Sequence, residues 1–153
     1  MVTIKAYPHP TAWSSGHSRI DPIAQVIDPN DQDITSGLDF YRAGALDSAA
    51  ICFQRVSLHS PNRWRAEYLL GAIDVAGQLW QNALLHYQSA LDMAHSANVQ
   101  DRSLIYVAIG RCYEQAGDRG RARQHYMSGL NLDPQSTSAA QSLKRLGERT
   151  RAD

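Results

Sequence analysis

Cys52, His86 and His125 form a set with the ligand types for metal chemistry. Each stands immediately before an aromatic residue (Phe53, Tyr87 and Tyr126), and they follow one another at 34 and 39 residues. Zinc accepts a Cys/His/His set at about 2.0–2.3 Å from each ligand atom. Were they to sit at equivalent places on neighbouring helices, whose axes lie about 8–10 Å apart, the three side chains would not converge on one ion. They are read as residues at the edge of a core, and no metal or cofactor is expected. The chain has no glycine-rich phosphate loop, His-Glu-x-x-His, Cys-x-x-Cys or nucleophile elbow. Glu67, Glu114 and Glu148 are its only glutamates, and none pairs with another carboxylate at a spacing suited to acid–base catalysis. Arg119, Arg121 and Arg123 form a basic cluster, read as a solvated turn balanced by Asp118 before an anion site. Trp64 and Trp80 are read as packing residues. No enzymatic activity is expected.

The elements that would carry these residues follow from composition and repetition. The 153 residues include 15 basic and 15 acidic side chains, and a net charge of zero argues against nucleic acid as a partner. No apolar run approaches the roughly 18 residues of a membrane span, and no signal peptide is expected in the stretch up to Pro8 and Pro10. Two cysteines are too few for a disulfide framework. A soluble, cytoplasmic chain is expected. Charge is uneven along it: residues 1–50 hold three basic and six acidic groups, residues 101–153 nine basic and six acidic. An elongated molecule would therefore be dipolar.

Three segments align. The first has Gly37, Phe40, Ala49, Phe53 and Pro61. The second has Leu70, Gly71, Asp74, Ala83, Tyr87 and Ala90. The third has Ile109, Gly110, Tyr113, Ala122, Tyr126 and Pro134. The glycines recur at 34 and 39 residues, the longer interval placing a five-residue insertion in 96–102. This pattern resembles the tetratricopeptide repeat, with its 34-residue period and its W-x2-L-G-x2-Y, A-x3-F and closing proline. The resemblance implies an all-α, right-handed solenoid of three helix pairs plus a C-terminal capping helix. Its repeats would span about 30–63, 64–97 and 103–136, between an N-terminal leader (1–29) and a capping helix and tail (137–153). Small residues at Gly37, Gly71, Gly110, Ala49, Ala83 and Ala122 let the two helices of a pair approach, and the aromatics fill the space between pairs. Gly44, Gly77 and Gly117 are expected as left-handed caps of each first helix, with Pro61 and Pro134 ending two of the second helices. Asp33 and Ser36, and then Asp74, depart from the pattern. Ala140, Leu143, Leu146 and Gly147 mark the buried stripe of the capping helix.

The resemblance further implies a concave wall built from the first helix of each pair. Its residues are Ile34, Leu38, Tyr41 and Arg42; Arg65, Tyr68, Leu69, Ala72, Val75 and Ala76; and Leu104, Val107, Ala108, Arg111, Glu114 and Gln115. Apolar side chains on such a wall mark a surface for another polypeptide. One subclass of the family clamps the acidic tail of heat-shock chaperones with Lys and Asn in repeat one, Asn in repeat two, and Lys and Arg in repeat three. The matching places here are Ile34, Leu38, Leu69, Leu104 and Ala108, so that clamp is not expected. The expected function is a non-enzymatic protein-binding module, an adaptor or chaperone, holding an extended or helical apolar segment of a partner protein. A self-assembling scaffold forming homo-oligomers is the alternative. The layout is also similar to small tetratricopeptide chaperones of type III secretion translocators. Tyr7, Trp13 and 20–27 are expected to dock in the groove and compete with a partner.

Overall fold

The computed structural model describes residues 32–56 and 58–149; the leader and its expected docking lie outside them. The described residues form α1 (Gln32–Arg42), α2 (Leu46–Arg55), α3 (Arg63–Ala76), α4 (Trp80–Met93), α5 (Val99–Gln115), α6 (Arg119–Leu132) and α7 (Thr137–Arg149), with a 3-10 turn at Ala94–Ser96 between α4 and α5. Each of α1, α3 and α5 packs most extensively on the helix after it, and each pair stacks on the next to make an all-α repeat solenoid. The glycines explain how closely the pairs approach. A Cβ on Gly37 would lie 2.5 Å from the Phe53 ring, on Gly71 2.7 Å from Tyr87, and on Gly110 2.6 Å from Tyr126. No real side chain tolerates those distances, so each glycine is the hole into which the aromatic of its own pair fits, and the rings fill space within pairs where the sequence reading put them between pairs. Ala49, Ala83 and Ala122 are all fully buried beside these contacts.

Local chemistry departs from expectation at four places. The left-handed turn residues are Gly44 (φ 76°) and Gly117 (φ 84°), but in repeat two the equivalent residue is Gln78 (φ 58°), while Gly77 remains right-handed. α2 ends at Arg55, well before Pro61. Arg63 accounts for this: its guanidinium Nη1 donates to the Val56 carbonyl at 2.8 Å, capping the helix end from the next repeat. The insertion between repeats two and three is absorbed by the 3-10 turn and by an early start of α5, which runs for 17 residues against 14 for α3. Asn98 starts it, its side chain accepting from the Asp101 amide at 2.8 Å. In α7 the buried line is Ala139, Ser142 and Leu146, whereas Ala140 and Gly147 face outward.

Most of the apolar core is one cluster running through repeats one and two into α5; a smaller one joins Val107, Ala122 and Tyr126 to Ala139 and Leu146 of α7. Tyr113 packs against both. No helix among the described residues is long and apolar enough to cross a membrane.

Candidate functional site

The expected wall is only partly open. Ile34, Leu38 and Leu69 are at most 1% exposed and belong to the main core; Val107, 2% exposed, packs in the second cluster with α7. Tyr68 and Ala108 are buried as well. These six do not line a trough: they are buried within the two apolar clusters, so they serve packing inside the stack. Tyr41, Val75, Ala76 and Leu104 are half-buried against that core, Ala72 and Arg65 are half-buried, and Arg42 and Arg111 stand exposed. Arg65 places its guanidinium 4.6 Å over the Trp64 ring and 3.9 Å from Asp101, so it serves the α3–α5 contact.

What remains open is a cleft of about 300 Å³ where α3, α4, α5 and α7 meet. Val75 and Trp80 form its apolar side; Arg111, Glu114 and Gln115 come from the last turns of α5; Arg145 comes from α7. Four of these lie on the expected wall. Trp80 and Arg145 do not: the first was read as packing and the second sits on the cap. Glu114 organises the polar side. One of its carboxylate oxygens accepts from the Tyr126 hydroxyl at 2.6 Å and from Arg145 at 2.9 Å, fastening α7 to repeat three. Burial, followed by the adjacent Glu114, pushes the Tyr126 phenol far above its ordinary range, so it stays a donor. Arg111 and Arg145 are both exposed, and Arg145 is taken up by Glu114.

Repeats two and three hold two equivalent slots with different chemistry. In repeat two, His86 Nδ1 donates to Glu67 at 2.8 Å and its Nε2 faces Asp74 at 3.6 Å, while Arg63 pairs with the other Glu67 oxygen. Burial works to raise the Glu67 pKa, but the His86 hydrogen bond and the Arg63 charge outweigh it and hold the carboxyl below its ordinary value. Asp74, 1% exposed, is raised by burial and only partly relieved by His86; neither of its side-chain oxygens has a hydrogen-bond partner. Its charge, added to burial, pushes the Cys112 thiol up to about 12, an unreactive state. In repeat three, His125 lies instead between rings, 5.3 Å from Tyr113 and 6.2 Å from Tyr106, and burial lowers its pKa. Glu67 and Asp74 are seven residues apart, two turns of one helix, a spacing that could have marked the pair but that the sequence reading passed over. Cys52 and Cys112 are free and buried. Among the described residues no group of three His, Cys, Asp or Glu side chains is placed to hold a metal ion.

No protein-family model matches the chain, and a search of curated proteins finds no match. Solved structures do match. The chain is similar to the TPR2AB-domain:pHSP90 complex of yeast Sti1, with a TM-score of 0.71 at 18% identity, over 80% of this chain and 47% of the yeast one. It thus spans about half the length of that chain. It is also similar to the N-terminal domain of stress-induced protein-1 (STI-1) from C. elegans, with a TM-score of 0.66 at 12% identity, over 83% of this chain and 98% of that one. The fold is that of the tetratricopeptide repeat. At these identities the likeness carries the arrangement of helices and not a ligand. The aromatic-into-glycine contacts of all three pairs are its local form in this chain.

Proposed function

We propose that this tetratricopeptide chain is a non-enzymatic protein-binding module that seats a segment of a partner protein in the cleft between Val75, Trp80, Arg111 and Gln115. The observation that carries the reading is the cleft itself, an apolar wall beside an exposed guanidinium on the inner ends of repeats two and three. Trp80 and Val75 offer area for an apolar anchor, and Arg111 offers paired donors for a carboxylate or main-chain carbonyl. The yeast structure similar to this chain is a complex with pHSP90. The clamp places hold Ile34, Leu38, Leu69, Leu104 and Ala108, so a heat-shock tail held by five polar residues is not the ligand we propose. Tyr41 and Arg42 in repeat one, Ala72 in repeat two and Leu104 in repeat three would extend the surface along the expected wall. An adaptor and a secretion-type chaperone would both use the cleft in this way, and a cytoplasmic setting fits the two unbridged cysteines.

Recovery of partner proteins on immobilised wild type is compared with Arg111→Glu and Val75→Glu, circular dichroism confirming that each variant is folded. Wild type should retain a specific protein that both variants lose. Equal recovery by all three would defeat the assignment.

A further inference from the structure

A second groove of about 570 Å³ runs between α6 and α7. Arg119, Arg123, Met127 and Leu130 line it from α6, one residue per turn on a single stripe, and Leu143 and Leu146 line it from α7. In the stack, α1, α3 and α5 each have a following helix packed against them; α7 has none among the described residues. A closing helix ordinarily turns a polar face outward, yet here Met127 is 46% exposed, and Leu130 and Leu143 are only half-buried. Two parallel apolar stripes on adjacent helices make the seat of a third helix. The charge at its rim selects the occupant. Among the described residues no carboxylate lines the groove, Arg121 is engaged by Asp118 at 3.2 Å, and Arg123 is exposed with no ion pair. We propose that this groove docks an amphipathic helix of a partner protein, with apolar residues at i, i+3 and i+4 and Asp or Glu on its flank. The stripe from Arg119 to Leu130 is ~17 Å long, so about three turns are engaged. The site lies on α6 and α7 and does not depend on the cleft at Val75 and Arg111.

The test uses the whole chain, isotope-labelled for NMR, and two 14-residue synthetic helical peptides. Both carry Leu at i, i+3, i+4 and i+7; one has Glu flanks and the other Lys at the same places. The Glu peptide should give saturable shifts confined to α6 and α7 around Arg123, Met127 and Leu143, weakening as salt is added. The Lys peptide should not. Arg123→Glu should weaken the Glu peptide about threefold, the scale of one rim ion pair. Met127→Asp, at an exposed position, should weaken it at least about tenfold without altering the circular dichroism. No saturation, equal binding of both peptides, or shifts centred on Val75 and Arg111 would overturn the proposal. So would a dimer that Met127→Asp dissolves, because a second copy would then be the occupant.

Discussion

Repeats two and three bring three equivalent positions around the same point and fill them with opposite chemistry. In repeat two the histidine before the core aromatic sits between Glu67 and Asp74; in repeat three its counterpart sits between Tyr106 and Tyr113. The backbone is indifferent to the exchange, since Tyr87 and Tyr126 enter the Gly71 and Gly110 holes at almost the same distance. The fold therefore rests on the glycine–aromatic contact, and the surrounding positions vary around it. The aromatic slot is packed on both faces. The carboxylate slot holds one buried charge without a hydrogen bond, Asp74, which acts on Cys112.

That contrast can be broken in order of size. Tyr126→Ala should cost about 3–5 kcal/mol of unfolding free energy, because it empties the core and removes the hydroxyl that steadies Glu114. Chemical denaturation checks this, and a cost below that of Tyr87→Ala would contradict the role given to Glu114. Gly71→Ala and Gly110→Ala should each cost about 1–3 kcal/mol, although helix propensity alone favours alanine by roughly 1 kcal/mol. Stabilisation in either would mean that the rings do not need the holes.

The charged slot makes two predictions of opposite sign. Glu67→Gln should destabilise by about 1–3 kcal/mol at neutral pH, since Arg63 and His86 lose an ionised partner. The Glu67 carboxyl is held below its ordinary value when folded, so its contribution is present above the unfolded pKa and is lost as pH falls through the folded one. Asp74→Asn should stabilise by about 1 kcal/mol, because a carboxylate in dry surroundings is replaced by a neutral amide. Asp74 is raised when folded, so this gain is complete above the folded pKa and fades as pH falls toward the unfolded value. Thermal melts of both variants across the acid range separate the two trends. Smallest of all, Gln78→Gly should gain roughly 1 kcal/mol and Gly117→Gln lose as much, since both positions have a positive φ.

The repeats were legible in the sequence because small and aromatic residues recur at fixed intervals wherever backbones touch. Gly37, Gly71 and Gly110 all perform the contact that their spacing implies. Turn chemistry was less legible, because a glycine one residue early, Gly77, masked the left-handed place that Gln78 fills. The candidate site was legible only in part. The pattern marks which residues face inward, but it does not say which inward residues are covered by the next helix. Ile34, Leu69 and Val107 are covered, whereas Val75, Arg111 and Gln115, near the helix ends, are not. Arg145 was missed because it reaches Glu114 from 31 residues away, a contact that periodicity does not encode.

The most direct measurement places a photo-crosslinking amino acid at Gln115, in the cleft, and at Ile51, on the exposed face of α2, and compares what each captures in the cells that express the chain. The account predicts a discrete protein adduct from Gln115 that disappears in the Arg111→Glu background, and none from Ile51. The same adduct from both positions, or one that survives Arg111→Glu, would contradict it.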